Sequence, residues 1–255
     1  MFYDTLEFSN SEKIRDLTEK AIKSNCVYQE GFISEVKHRN ENAFIEVYSD
    51  TTFNVAKRYC SFGRVAVLNF ANPENAGGGV TIGALAQEES LCRSSNLYAC
   101  INNFNVFNDY YLYHRNNNHF YSDRLIYTKD VTVFKNDDEI PQMMPEKEWF
   151  NVDVITCAAP CLINREINGE VLFNVLKSRV TNIFEAARDN NVDYLILGAF
   201  GCGAFKNPPL IVAEAFRRTI DEQNYLKDFK EIAFAIKPTD KNCPNLSVFR
   251  RQFDA

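Results

Sequence analysis

Residues 65–93, VAVLNFANPENAGGGVTIGALAQEESLCR, join an apolar run, a glycine-rich loop and a helical pattern. The opening VAVLNF is almost entirely apolar, which is typical of a strand buried on both faces of a sheet. The consecutive glycines Gly77, Gly78 and Gly79 follow, and helical spacing of apolar residues begins after Gly83. The segment therefore predicts a strand–loop–helix unit of an α/β protein.

Glycine is scarce in the rest of the chain. Only 10 of the 255 residues are Gly, about 4% against a typical share of roughly 7%. Seven of the ten lie in two short stretches, one from Gly77 to Gly83 and one from Gly198 to Gly203. Because glycine lets the backbone bend sharply or approach a ligand closely, the two stretches are the main candidates for a binding site. Tight turns without a ligand are the alternative.

Further apolar runs predict an alternation of strands and helices. Strands are predicted at 44–48, 125–134, 152–160, 194–198 and 232–236, and helices at 166–190 and 208–223. A helix with possible caps at residues 9–12 should fade near residue 25. We expect one domain over residues 1–255, with an accessory helical region at 1–60 and a ligand-binding core at 61–255. Ligands bind at the carboxyl ends of strands in such sheets, so the glycine stretches should share one rim.

Composition excludes several classes of protein. The formal net charge of −6 argues against general nucleic-acid binding, which needs a basic surface. No apolar run approaches the roughly 20 residues of a membrane span, and the first residues lack the pattern of a signal peptide. We therefore expect a monomeric cytoplasmic protein without a membrane partner, or a nuclear one if the source is eukaryotic.

Metal and disulfide chemistry are not expected. The eight cysteines include no CxxC pair, and the three histidines are scattered along the chain. Clustered Cys and His would be needed for a zinc site, so we expect reduced thiols and no metal. The Asn- and Tyr-rich segment 102–119 predicts an irregular surface loop. The alternative is that Tyr110, Tyr111 and Tyr113 border the cleft.

The two glycine stretches suit a ligand that contains a diphosphate. Consecutive glycines can turn N–H groups toward an anion, and a following helix N-terminus adds positive potential. Neither stretch contains the Gly-Lys-Ser/Thr of a P-loop or a G-x-G-x-x-G fingerprint.

The acidic pair Glu88–Glu89 opens the predicted helix after the first loop. Acids there can simply stabilise the helix N-terminus, and Glu89 could pair with Arg93 four residues on. The functional alternative is a carboxyl that acts as acid and base in glycoside cleavage. Adjacent helical residues diverge by about 100°, so the two carboxyls should have different roles.

The pattern GGG, seven residues, then QEE resembles the signature of the poly(ADP-ribose) glycohydrolases. The flanks NFANPENAGGG and QEESLCRSSNLY, together with the later GAFGCGAFKNPP, are similar to the microbial type of that family. The resemblance runs from about residue 65 to residue 209. It implies a three-layer α/β/α macrodomain with a mixed central sheet and an N-terminal helical extension. It also implies hydrolysis of ribose–ribose bonds in ADP-ribose polymers, without a metal or cofactor.

The resemblance implies roles for the residues in the matching motifs. Glu89 would protonate the leaving ribose oxygen and then activate water, and Glu88 would hold the ribose hydroxyls. The substrate-binding candidates on the ribose side are Asn72, Asn75, Gly77, Gly78, Gly79, Val80 and Gln87. Those on the diphosphate and adenosine side are Gly201, Cys202, Gly203, Ala204 and the stacking candidate Phe205.

Two other functions use the same loops. One is a hydrolase that removes single ADP-ribose units from proteins or nucleic-acid ends. The other is a non-catalytic ADP-ribose reader, which the Glu88–Glu89 pair disfavours because a reader needs no such pair. All three functions share ADP-ribose and ADP-ribosylated macromolecules as partners.

Overall fold

The computed structural model describes residues 2–39, 41–238 and 243–254. Within these ranges seven strands form one mixed sheet in the order β1-β4-β5-β3-β6-β7-β2. The strands are β1 (Cys26–Tyr28), β2 (Phe44–Tyr48), β3 (Val65–Phe70), β4 (Leu125–Val133), β5 (Phe150–Cys157), β6 (Tyr194–Leu197) and β7 (Glu231–Ala235).

The α-helices of the same ranges lie between and beside these strands. They are α1 (Phe2–Ser9), α2 (Arg15–Lys23), α3 (Thr52–Lys57), α4 (Gln87–Ser94), α5 (Leu97–Ile101), α6 (Phe104–Val106), α7 (Tyr113–Asn116), α8 (Gly169–Asp189), α9 (Pro209–Glu222) and α10 (Pro244–Phe253). A π-helical turn at Phe107–Leu112 joins α6 to α7. None of the helices in the described ranges is long and apolar enough to cross a membrane.

Strand β3 occupies the centre of the sheet. It pairs in parallel with β5 and with β6, and β7 and β2 continue the parallel part. Strand β4 is antiparallel to β5, and β1 is antiparallel to β4. Since β3 and β6 are parallel neighbours, the two glycine stretches that follow them emerge side by side at one edge of the sheet.

Helices cover both faces of the sheet, which confirms the predicted three-layer α/β/α class. In β3, Ala66 and Leu68 point into a core built with α8, α9 and α10. The alternate residues Val65 and Val67 point into a second core built with α1, α3, α4 and α5. The period of two in a strand that is apolar except for Asn69 explains why β3 is buried on both faces.

Most predicted elements are confirmed. The strand predictions agree with β2 to β7 and the two long helices with α8 and α9, with ends shifted by a few residues at most. The α10 helix was not predicted; its Phe249 and Phe253 pack on Phe234 of β7.

The start of the chain differs from the prediction. Ser9 ends α1 instead of capping a helix, and the next helix begins only at Arg15. Tertiary contacts explain the difference, because the buried Lys135 Nζ lies 2.7 Å from both Asp4 Oδ2 and Thr5 Oγ1. The helices α1 and α2 fit the expected helical extension, yet the first 60 residues also supply both edge strands of the sheet. The division at residue 60 stays a prediction.

The prediction of a surface loop at 102–119 is wrong. The segment is largely helical, and Tyr110 and Tyr111 have exposed fractions of 0% and 1%. With Val106 and Ile126 they form a small core that packs against Ala76, next to the first glycine loop. Val106, Tyr110 and Tyr111 thus face the protein, while Phe104 and several asparagines of the segment face outward.

Candidate active site

A cleft of about 300 Å³ opens at the edge of the sheet where the parallel strands end. Four segments line it: residues 50–52 after β2, residues 85–87 at the start of α4, the second glycine loop at Gly201 and 203–205, and residues 235–237 at the end of β7. The cleft therefore extends from the start of α4 past the second glycine stretch to the ends of β2 and β7.

Gly78 lies directly against the two carboxyl groups. Its φ is +58°, and a Cβ there would come within 2.5 Å of Oε1 of Glu89 and 3.0 Å of Oε2 of Glu88. The next residue, Gly79, donates its N–H to Oε1 of Glu89 at 2.8 Å. Backbone conformation and space both require glycine at position 78.

Glu88 is almost completely buried and held by N–H donors. Asn69 Nδ2 donates to Oε1 at 3.3 Å, and the Asn72 N–H donates to Oε2 at 2.7 Å. Burial raises the pKa of Glu88 to about 8; the charge of Glu89 adds to the shift, and the donors from Asn72, Asn69 and Gly77 oppose it. A carboxyl that keeps its proton near neutral pH suits the holding of neutral hydroxyl groups.

Glu89 has one oxygen that the protein does not satisfy. Its Oε1 accepts from Gly79, whereas its Oε2 is buried and makes no hydrogen bond within the described structure. A buried polar atom of this kind costs free energy and is common at functional sites. The alternative ion pair with Arg93 does not form, because Arg93 Nη1 donates to the Ala84 carbonyl at 2.7 Å.

The side chain of Gln87 fixes the start of α4 to the end of β3. Its Oε1 accepts from the Phe70 N–H at 2.9 Å, and its Nε2 donates to the Leu68 carbonyl at 2.8 Å and to Thr52 Oγ1 at 3.1 Å. Gln87 lines the cleft, but its amide is engaged within the protein. Its contact with substrate stays a prediction.

Asn72 and Asn75 shape the loop before the glycines. Asn72 Oδ1 accepts from the N–H groups of Glu74 and Asn75, both at 2.9 Å. Asn75 Oδ1 accepts from Arg115 Nη2 at 3.2 Å. The backbone of Asn72 contacts Glu88, and the predicted contact of either side chain with a ribose stays a prediction.

The second glycine loop uses its glycines in two ways. Gly201 has a φ of +71°, and a Cβ there would meet Ala159 Cβ at 2.4 Å and Asn207 Nδ2 at 2.5 Å. No atom lies within 4 Å of the Cβ position of Gly203, which lines the cleft. Gly201 therefore serves packing, and Gly203 leaves space for a ligand.

The remaining candidates fall into two groups. Ala204 and Phe205 line the cleft, and Phe205 is half-buried against the core. Val80 is buried, and Cys202 packs partly against the core, where burial raises the pKa of its thiol to about 12. Cys202 is thus an unreactive thiol whose contribution to the loop is its backbone.

Several residues of the site were missed from the sequence. Asn69 is fully buried in β3 and donates to Glu88; its signal was a polar side chain inside an apolar run. Asp50 lines the cleft opposite Phe205 without any motif that marked it. Asp137 also lines the cleft and accepts from Ser90 Oγ at 2.6 Å, a contact across 47 residues that no local pattern indicates.

A buried carboxyl pair under one glycine loop, with a second glycine loop lining the adjacent cleft, is the arrangement expected of a hydrolase of the macrodomain class. Comparison with known proteins is more specific. The model of the microbial-type PARG catalytic domain matches residues 3–136. No curated protein matches the chain.

Solved structures match almost the whole chain. A poly(ADP-ribose) glycohydrolase from Thermomonospora curvata is 30% identical with a TM-score of 0.82, covering 99% of this chain and 96% of that one. The same enzyme bound to the inhibitor ADP-HPD is 31% identical with a TM-score of 0.81 and the same coverage. A poly(ADP-ribose) glycohydrolase from Deinococcus radiodurans in complex with ADP-ribose is 31% identical with a TM-score of 0.76, covering 94% and 90%.

The chain belongs to the family of microbial-type poly(ADP-ribose) glycohydrolases. Its activity is accordingly that of a glycoside hydrolase of ADP-ribose polymers, as the motifs around Gly77 and Glu89 predicted.

The raised pKa of Glu88 predicts a pH-dependent stability. Between about pH 4.5 and pH 8 the folded protein holds a proton on Glu88 that the unfolded chain has released. The free energy of unfolding that Glu88 contributes therefore falls as pH rises through this window. The free energies of unfolding of the parental protein and of Glu88→Gln can be measured in urea from pH 4.5 to 8.5. As pH rises, the parental protein should lose stability relative to Glu88→Gln. A difference that stays constant across this range would contradict the assignment.

Proposed function

We propose that this chain cleaves the ribose–ribose O-glycosidic bonds of poly(ADP-ribose) with Glu89 as the catalytic acid and base. The observation that carries the assignment is the buried Oε2 of Glu89, which has no partner within the described structure and lies beside the first glycine loop. Glu88 is less suited to proton transfer, since N–H groups of Asn69 and Asn72 occupy its two oxygens. Its role is to hold ribose hydroxyls.

Cleavage of one glycosidic bond consumes one molecule of water. The carboxyl of Glu89 transfers its proton to the leaving ribose oxygen as the bond from that oxygen to the anomeric carbon breaks. The resulting carboxylate then takes a proton from water while the water oxygen bonds to the anomeric carbon. Glu89 regains its proton, and the products are ADP-ribose and a polymer shorter by one unit.

We assign the parts of ADP-ribose to successive segments of the cleft and its border. The ribose at the scissile bond lies at residues 77–80, next to the carboxyl pair. The diphosphate follows the second loop at 201–204, where backbone N–H groups and the open space at Gly203 receive it. The adenosine lies between Phe205 and residues 50–52. Support comes from the related enzymes, whose structures contain ADP-ribose or ADP-HPD.

Three finer points remain predictions from the sequence. They are ADP-ribosylated macromolecules as the carriers of the polymer, a monomeric state and a cytoplasmic location.

Labelled polymer and a mono-ADP-ribosylated protein, assayed side by side, separate the two hydrolase functions. We expect faster release from polymer, and faster release from the mono-ADP-ribosylated protein would favour the alternative.

Glu89→Gln should remove activity without removing binding. The amide oxygen can still accept from the Gly79 N–H, so the loop keeps its shape, but the side chain can no longer transfer a proton. We expect polymer turnover to fall by at least about 100-fold, with ADP-ribose affinity within a few-fold of the parental value by calorimetry. The control is Glu19→Gln, which neutralises an exposed carboxyl on α2 and should retain full activity. Parental turnover in Glu89→Gln would refute the mechanism.

Alanine substitutions at Gly201 and Gly203 of the second loop should separate the packing role of Gly201 from the binding role of Gly203. Gly203→Ala adds a methyl group to the cleft wall without a protein clash, so stability should change by less than about 0.5 kcal/mol while ADP-ribose affinity falls. Gly201→Ala combines a positive φ with two close contacts and should lose more than about 2 kcal/mol of stability. Thermal unfolding and calorimetry measure both effects. Unchanged affinity in Gly203→Ala would exclude this loop as the diphosphate site.

A further inference from the structure

Helix α7, which lies before β4 in the chain, forms hydrogen bonds with the loop that precedes the first glycine stretch. His114 of α7 is 2% exposed; its Nδ1 lies 3.2 Å from the Pro73 carbonyl oxygen and its Nε2 lies 2.9 Å from Ser122 Oγ. The neighbouring Arg115 donates twice to the Glu74 carbonyl, at 3.0 and 2.7 Å. Two side chains of α7 thus hold consecutive carbonyl groups of one loop.

This loop leads directly to Glu88. Asn72, the residue before Pro73, donates its N–H to Oε2 of Glu88 at 2.7 Å. This hydrogen bond is shorter than the one from Asn69 Nδ2 to Oε1 of Glu88, which measures 3.3 Å. The carbonyl that His114 contacts and the N–H that orients Glu88 therefore belong to adjacent residues, Pro73 and Asn72.

Hydrogen-bond chemistry fixes the direction of the His114 contacts. A carbonyl can only accept, so Nδ1 must carry a proton toward Pro73. The Nε2 of a neutral ring then accepts from Ser122, whose single hydroxyl proton it shares with Oε1 of Glu30 at 2.8 Å.

The surroundings keep the ring of His114 neutral. Burial lowers the pKa of His114 to about 4; the Pro73 carbonyl and the charge of Glu30 oppose the shift, and Arg179 and His119 add to it. Arg124 Nε donates to the other oxygen of Glu30 at 2.9 Å. At neutral pH the ring is thus a fixed donor to Pro73.

We propose that His114 is a positioning residue of this enzyme: it fixes the Pro73 carbonyl and thereby keeps the Asn72 N–H on Glu88. The inference rests on the proposed role of Glu88 in holding ribose hydroxyls. No local motif connects His114 with the carboxyl pair, because the two lie 26 positions apart and meet only through the loop.

Two amides of different length test the proposal. The amide nitrogen of Asn can take the place of Nδ1, so His114→Asn retains a donor to Pro73. The longer Gln places its amide near the position of Nε2, so His114→Gln retains the Ser122 contact and loses Pro73. Both variants lose the ring and should lose similar thermal stability. We expect the KM for polymer to stay near the parental value in His114→Asn and to rise about 3- to 10-fold in His114→Gln, the worth of one hydrogen bond.

A double-mutant comparison separates positioning from general damage. If His114 acts through Glu88, the rise in KM caused by His114→Gln should disappear in a Glu88→Ala background, which has no side-chain oxygen to accept from the Asn72 N–H. Equal KM values in His114→Asn and His114→Gln, or an undiminished effect in that background, would overturn the proposal. Should the two His114 variants fail to fold, Ser122→Ala decides: it leaves the Pro73 contact intact, so KM should not rise, and a rise of 3-fold or more would count against the proposal.

The readout also distinguishes this proposal from the proposed function. ADP-ribose affinity is measured by calorimetry on every variant beside polymer turnover. If the parental protein binds ADP-ribose but releases none from polymer, the catalytic proposal fails, and the same comparison of variants is made on affinity.

Discussion

Two adjacent carboxyl groups buried at the start of one helix are the constraint on which the rest of this structure depends. Burying a carboxylate is expensive unless hydrogen bonds or a proton compensate. Here both compensations operate. Glu88 receives N–H donors and holds its proton near neutral pH, whereas Glu89 receives one N–H and retains an unpartnered oxygen. The difference between two neighbouring side chains arises entirely from what surrounds them.

The fold supplies these surroundings from distant parts of the chain. The central strand β3 ends beneath the carboxyl pair, and Gln87 ties the first turn of α4 to that end. Gly78 brings the loop backbone onto both carboxyls, where any side chain would collide with them. The parallel neighbour β6 places the second loop beside the first. A central position in a doubly covered sheet thus makes the site rigid before a ligand arrives.

The sequence predicted the parts of the site that are local and left out those that are not. The strand β3, the glycine loop and the acidic pair are contiguous, so their periodicity and spacing indicated a site. Asn69 and His114 act through contacts that only the folded chain creates, and Asp50 follows β2, a strand at one edge of the sheet. The segment 102–119 was misjudged because its asparagines suggested a loop, while the burial of Tyr110 depends on Ile126 and Ala76.

A chain with a negative net charge can still bind an anionic ligand if backbone N–H groups, instead of basic side chains, are the donors. Among the described residues that line the cleft, Lys237 is the one cation, and the net charge of the chain is −6. The proposed binding of a diphosphate here would therefore depend mainly on backbone N–H groups, which cost no side-chain entropy. Backbone recognition needs close approach, and close approach needs glycine. Seven of the ten glycines of this chain lie in the two loops to which we assign the ligand.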